Sequence, residues 1–274
     1  MIDTLSAARP LVLVGCGKMG GAMLAGWLDR GLSPAAVIVV EKHVSPELAA
    51  LADKHGFRLE TAAPAGVTAR VLLVAVKPQV LDGVLPGIRA LVDAGTAVIS
   101  VVAGKTIATF ANGLGTERIV RTIPNTPAQV GRGITGAACG PAVTAEDRDL
   151  VGALLATIGR LEWVEKEEHI DLVTAVSGSG PAYVFHMVEA LAAAGAAAGL
   201  PADLSARLAR ATIEGAGELL FQSPESPEQL RINVTSPAGT TAAALAVLMG
   251  GDALTKLMTE AVAAAAERSR ELAG

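Results

Sequence analysis

The sequence predicts an α/β chain, a doubly wound parallel sheet over residues 1–165 followed by an all-α domain over residues 166–274. Short, unbroken apolar runs alternate with helical patterns through about residue 165, which is how strands buried on both faces of a parallel sheet read. The first of these runs meets a glycine-rich turn that leads straight into a helix. After Val164 the strand signals stop, and alanine-rich helical patterns continue to the end.

The first strand is Leu11, Val12, Leu13 and Val14, and the helical pattern that follows places Met23, Leu24, Trp27 and Leu28 on one side. Between them Gly15, Gly17 and Gly20 fit G-x-G-x-x-G. The first glycine permits the turn, the second lets a pyrophosphate approach the backbone, and the third lets helix pack on strand. Free N–H groups at the helix start, together with the helix dipole, suit a phosphate. A second run over residues 37–40 ends in Glu41. An acid there accepts hydrogen bonds from an adenosine ribose and favours a cofactor without a 2′-phosphate. Lys42 and His43 pull the other way, since a cation there pairs with a 2′-phosphate. These residues leave NADH and NADPH both open, and the three also read as a solvated strand end.

Ser45 and Pro46 open the next helix as N-cap and first helical residue, with Leu48, Leu51 and Ala52 on its apolar side. Residues 70–76 read as a central strand stopping at Lys77-Pro78. Ligands of open α/β sheets are met at the carboxyl ends of such strands, so Lys77 is a candidate contact. Residues 80–92 read as a helix broken or restarted near Pro86-Gly87, and residues 96–102 as a strand. The small residues Ala103 and Gly104 after it would admit a nicotinamide or its ribose. A short helix from Thr106 leads to a strand over residues 118–123, which ends in Pro124-Asn125-Thr126-Pro127. Two prolines stiffen that loop, which suits a binding site and a plain strand terminator equally. Residues 134–139 and 161–164 read as closing strands around a helix over residues 146–158.

Residues 167–200, 203–221 and 238–272 are almost wholly helical in pattern. Some are apolar nearly all round and need burial on more than one side, which predicts a homodimer or a larger assembly. Residues 177–181 (SGSGP) interrupt the first with residues poor in a helix interior, letting another helix or a ligand come close. Residues 233–241 (NVTSPAGTT) read as a turn at Pro237-Ala238-Gly239, with the final helix starting at Ser236 or Pro237. A helix start flanked by hydroxyls is what a small carboxylate needs, and it is also how an ordinary capped helix begins.

Composition narrows the function classes. A chain of 274 residues suits two domains, and a net charge of −5 gives no basic footprint for nucleic acid. The two cysteines, Cys16 and Cys139, are too far apart in sequence to suggest a disulfide framework or a zinc site. No His, Cys or carboxylate cluster has metal-ligand spacing, so no metal is expected. Cys16 reads as a small packing residue of the glycine loop. No charged-then-apolar leader precedes Leu11, and no apolar stretch resists reading as a soluble helix, so a cytoplasmic enzyme without a membrane segment is expected.

Taken together, residues 14–20 (VGCGKMG), 75–78 (AVKP), 100–104 (SVVAG), 121–127 (RTIPNTP), 177–183 (SGSGPAY) and 233–241 (NVTSPAGTT) resemble, in order, the motifs of the pyrroline-5-carboxylate reductase family. The resemblance runs nearly the full length. It implies a Rossmann domain joined to a helical dimerisation domain, dimers that commonly assemble into rings, and reduction of pyrroline-5-carboxylate to L-proline by NAD(P)H, the last step of proline synthesis. Residue by residue, it implies cofactor contacts at Val14, Gly15, Cys16, Gly17, Lys18, Met19, Lys42, Ala75, Val76, Lys77, Pro78, Val101, Val102 and Ala103. For the substrate it implies Glu167, Asn233, Thr240 and Thr241, with the Gly239 and Thr240 amides and Ser236 near the carboxylate, and Asn233 touching both ligands. Lys18 and the run Glu41-Lys42-His43 depart from the family's usual residues, so cofactor preference is not inherited.

The implied chemistry is hydride transfer to the C=N carbon of a protonated iminium, with Thr241 hydrogen-bonded to the ring nitrogen. Two other readings remain. A hydroxyacid or imine oxidoreductase usually needs a lysine acid on the first long helix of the second domain, where this sequence offers only His186 and Glu189. A dinucleotide sensor without turnover leaves the hydroxyl-rich loop unexplained.

Overall fold

The computed structural model describes residues 4–273. Its strands are β1 (Leu11–Val14), β2 (Val37–Val40), β3 (Arg58–Glu60), β4 (Val71–Val74), β5 (Ala97–Ser100), β6 (Ile119–Ile123), β7 (Gly133–Cys139) and β8 (Gly159–Trp163). They form one sheet in the order β3-β2-β1-β4-β5-β6-β7-β8. From β1 to β6 every pairing is parallel, and the strand order reverses between β1 and β4.

Every residue of β1, β2, β4 and β5 is buried, because helices cover both faces of the sheet. Leu11 and Leu13 face Met23, Leu24 and Trp27 of α1 (Lys18–Asp29). Val12 and Val14 face the other way, toward Leu81 and Leu85 of α3 (Leu81–Ile88) and Phe110 of α4 (Ile107–Leu114). The buried Trp27 indole donates to the Leu154 carbonyl of α5 (Ala145–Leu155) at 3.0 Å, so its one polar atom is satisfied inside the core. The helix α2 (Pro46–His55) starts as expected, with the Ser45 hydroxyl accepting from Leu48 N at 3.2 Å.

Two features of the sheet differ from expectation. It is not wholly parallel, since β7 runs antiparallel to β6. Residues 124–132 between them hold only a short 3-10 turn, Thr126–Val130, and a parallel return needs a longer crossover. The helix α5 does supply such a crossover, and β8 lies parallel to β7. The strand β3 is an addition, too short and too polar to leave a periodic signal.

The amino ends of β4 and β6 are locked together by Asp147. Its fully buried carboxylate accepts from Arg70 at 3.0 Å and from Arg118 at 2.7 Å, and it also closes the capping box with Thr144 at the start of α5. Burial works to raise this acid's pKa, and the hydrogen bonds from Arg118, Thr144 and Arg70 outweigh it, so the carboxyl lies below its usual range.

Beyond the sheet lie α6 (His169–Val173), a π-helical turn (Thr174–Gly178), α7 (Gly180–Ala197), α8 (Ala202–Gln222), α9 (Pro227–Asn233), α10 (Thr240–Met249) and α11 (Ala253–Ala273). The pattern read as one helix over residues 238–272 is thus two. Gly251 and Asp252 take φ of 60° and 58°, which no continuing right-handed helix allows. By length and composition the stretch 240–272 is apolar enough to cross a membrane, yet this break divides it. The helix start also moves, from Ser236 or Pro237 to Thr240, because Ala238 sits at φ 57°.

The chain forms two compact units, residues 4–179 with 265–273, and residues 180–264. This division falls later than the change from strand to helix near residue 165. Ile170 of α6 is buried with Ile123 and Ala138 of the sheet, and Ser269 of α11 donates to Asp171 at 2.8 Å, so the first and last helical segments belong with the sheet. In the second unit α7 packs on α8, and Ser205 donates to the Ala192 carbonyl at 2.7 Å.

Candidate active site

One group of candidate residues lies at the carboxyl edge of the sheet, in the unit that contains it. Gly15 has φ of 88°, and a Cβ there would sit 2.9 Å from the Ala75 carbonyl and Val76 nitrogen, so β1 and β4 approach this closely only with glycine. Gly20 rests against the Gly15 carbonyl with no room for a Cβ, which holds the start of α1 against the strand end. The amides of Lys18, Met19 and Gly20 fall in the first turn of α1, where a helix offers no internal acceptor. Gly17 and Lys18 are exposed there, so a phosphate has access.

Around this loop the structure gathers Glu41 and Lys42 at the end of β2, Ala75 to Pro78 after β4, and Val101 to Ala103 after β5. Lys77 and Ala103 are exposed, whereas Val102 is buried and donates to the Ser100 hydroxyl at 3.2 Å. Glu41 is held from both sides. One carboxylate oxygen accepts from Cys16 N at 2.8 Å and the other from His43 N at 3.0 Å. Burial first, and the Glu41 charge second, push the Cys16 thiol up to about 11, so it is protonated at neutral pH and packs rather than attacks.

Glu167 takes a duty that the sequence reading did not give it. Its Oε1 accepts from Ile107 N at 2.7 Å, at the first residue of α4, and from Arg121 at 3.0 Å. Arg121 is buried and also donates to Asp171 at 3.3 Å, so a charged network ties α4, β6, α6 and α11 together. One oxygen of this carboxylate is therefore engaged within the sheet unit. The Pro124–Pro127 loop is braced as well. The Asn125 side chain accepts from Ile134 N at 2.9 Å and donates to the Ser177 carbonyl at 3.1 Å, in the π-helical turn.

A separate group lies in the helical unit, where Asn233, Ser236, Gly239, Thr240 and Thr241 occupy one short segment from the last residue of α9 to the first turn of α10. Gly239 is the N-cap of α10, with its amide bonded to the Ser236 carbonyl at 3.1 Å and no side chain to cap the next amides. A Cβ at Gly239 would run into Ser236 Oγ, so a larger residue there would force the Ser236 side chain to turn away. The amides of the first turn, from Thr240 on, are left for a ligand carboxylate. Among the described residues neither the Thr240 nor the Thr241 hydroxyl is bonded elsewhere in the chain.

Two residues that sequence reasoning missed fix Asn233. Gln229, one turn earlier on α9, donates to Asn233 Oδ1 at 2.8 Å, and Asn233 Nδ2 donates to Glu225 at 3.0 Å. The four-residue spacing of Gln229 and Asn233 was a readable signal. Glu225 lies in the turn before α9 and left none.

Residues 167–272 match a family model described as pyrroline-5-carboxylate reductase dimerisation, and residues 10–104 match one described as NADP oxidoreductase, coenzyme F420-dependent. A pyrroline-5-carboxylate reductase of Pisum sativum is 37% identical over 273 residues, spanning 99% of each chain. The chain belongs to the pyrroline-5-carboxylate reductase family. Among solved structures, a family member from Coxiella burnetii superposes with a TM-score of 0.90 at 31% identity, over 97% of this chain and 99% of the other. The Plasmodium falciparum pyrroline carboxylate reductase, solved with NADP bound, gives 0.79 at 28% identity over 98% and 100%. The Rossmann-type sheet and the helical dimerisation module expected from the motifs are therefore this family's own architecture.

Proposed function

We propose that this chain reduces pyrroline-5-carboxylate to L-proline, the final step of proline biosynthesis, using NADPH or NADH. The end-to-end similarity to reductases of that name carries the reading, because it spans both the glycine loop and the segment from Asn233 to Thr241.

The residues at the sheet edge fit a dinucleotide. Lys18 to Gly20 would hold the pyrophosphate on their amides at the start of α1, with Gly15, Cys16 and Gly17 forming the turn beneath and Val14 ending the strand. Glu41 and Lys42 flank the adenosine ribose. Residues Ala75 to Pro78 and Val101 to Ala103 would line the path toward the nicotinamide, and Asn233 is proposed as a ligand contact on the strength of the family resemblance. When bound, the dihydronicotinamide supplies the hydride that adds to the C=N carbon. The Thr240 amide and the first-turn amides after it, with Ser236 beside them, would hold the substrate carboxylate, the Gly239 amide being taken by the Ser236 carbonyl, and Thr241 Oγ would accept from the iminium N–H. Fixing the carboxylate and the ring nitrogen together leaves the ring one orientation, which is the protein's main contribution to rate. Glu167 keeps the α4 start in place through Oε1, and it stays in this scheme as a proposed substrate contact.

The helical unit supports a homodimer. Phe185, Leu219, Val247 and Leu257 are each more than three-fifths exposed in the single chain, an apolar area that a soluble protein covers. A ring of such dimers and a cytoplasmic location complete the proposal.

The test is steady-state oxidation of NADH and NADPH, with and without pyrroline-5-carboxylate. Imine-dependent oxidation is the expected result. Cofactor binding without imine-dependent oxidation would favour the dinucleotide-sensing alternative, and turnover with other imines or oxoacids only would move the chain to a different oxidoreductase activity.

A further inference from the structure

We propose that Glu41 makes this chain discriminate against a 2′-phosphate, so that NADH is bound and used in preference to NADPH. The inference rests on the dinucleotide site proposed above and adds which nucleotide that site selects.

Glu41 follows the last residue of β2, the strand beside β1 on the side of the sheet away from β4. In a sheet of this order the adenosine ribose of a bound dinucleotide comes to that strand end. Many surface carboxylates could rotate out of the way of an incoming phosphate. Glu41 is restrained, because its two oxygens accept from two different backbone amides, Cys16 N at 2.8 Å and His43 N at 3.0 Å. One amide belongs to the glycine loop and the other to the turn after β2, so moving the carboxylate breaks a bond on each side. The backbone at Glu41 is fixed too, its amide donating to the Glu60 carbonyl of β3 at 2.9 Å.

A carboxylate offers about four acceptor positions. Two are used by the amides, which leaves two for the ribose 2′- and 3′-hydroxyls, both donors. A 2′-phosphate replaces one donor with a group that has none to offer and carries about two negative charges. The nearest cation in sequence, Lys42, and the imidazole of His43 beside it are exposed, with no fixed position forced on their side chains by a bond to the loop. Against a mobile, hydrated ammonium the anchored carboxylate sets the preference, and the cations moderate it.

Binding separates this proposal from the activity. Titration of the full-length protein with ADP-ribose and with its 2′-phosphorylated form, followed by calorimetry, should show ADP-ribose bound at least about tenfold more tightly. The ratio of kcat/KM for NADH over NADPH should lean the same way. Glu41→Ser should reverse the order, because Lys42 and His43 then face the 2′-phosphate unopposed. Glu41→Gln, which keeps an acceptor for the Cys16 amide while removing the charge, should shrink the discrimination with the thermal midpoint preserved. Equal or tighter binding of the 2′-phosphorylated ligand to the wild-type protein would overturn the preference while leaving the dinucleotide site intact. Failure of both ligands to bind would overturn the site itself, and the preference with it.

Discussion

Thr241→Ala is expected to lower kcat by about two to three orders of magnitude, the loss typical of removing one hydrogen bond aimed at the reacting group. The dissociation constant for the cofactor should stay within about twofold. The side chain stands in the first turn of α10, which Gly239 caps without a side chain, and its hydroxyl is not drawn into the helix or the preceding turn. Removing it leaves the α10 backbone and the carboxylate-binding amides in place. Alanine is also the better helix former, so the variant should fold and melt like the parent. Thr241→Ser keeps the hydroxyl and should recover most of the turnover. Pre-steady-state mixing of enzyme, cofactor and imine checks the step directly. Hydride transfer at the parental rate in the alanine variant would remove Thr241 from the mechanism.

The second large effect is on stability. Asp147→Ala should destabilise the protein by about 3–5 kcal/mol, because it leaves the Arg70 and Arg118 guanidiniums partly buried with no carboxylate between them. The capping box of α5 is lost in the same change. For a chain of this size that corresponds to a fall in Tm of roughly 10 °C. Urea unfolding of the parent and variant side by side measures it, and a change below about 1 kcal/mol would mean that the two arginines find other partners on relaxation.

The same acid gives stability a pH dependence of definite sign. Its pKa is depressed in the folded state, so its contribution is fully present above the unfolded value of about 4 and is lost as pH falls through the folded value. Asp93, which the Arg9 guanidinium and then the Gly95 amide and Thr96 hydroxyl hold at about 2, acts in the same direction at the surface. Unfolding free energy should therefore decline from about pH 4 downward, and more gently in Asp147→Asn than in the parent. Parallel slopes would mean that Asp147 does not titrate differently in the folded protein.

The strands β1, β2 and β4 were legible because burial on both faces demands uninterrupted apolar residues, and such a run has few other readings, whereas β5 and β6 were legible although Ser100, Arg121 and Thr122 break the pattern. The glycine loop was legible for a related reason. Gly15 and Gly20 stand where a Cβ has nowhere to go, so residue type there reports geometry directly. The direction of β7 was not legible, since an apolar run has the same pattern parallel or antiparallel, and only the short connection decides. The break between α10 and α11 was hidden in a sequence whose hydrophobic pattern runs straight through Gly250 and Gly251.

By itself, then, the sequence determined the α/β sheet, the helical second half, the dinucleotide loop and the hydroxyl-rich helix start, each encoded in adjacent residues whose spacing is local. Tertiary structure alone decided what the charged residues do. Glu167 is drawn to the α4 amide and Arg121, Glu41 is pinned to the Cys16 amide, and Asp147 joins Arg70 to Arg118. The physical reason is the range of the interactions. Backbone preference and hydrophobic period act over a few residues, whereas a carboxylate pairs with whichever donor the finished fold brings within 3 Å, 77 positions away along the chain for Asp147 and Arg70 and 98 for Asp171 and Ser269.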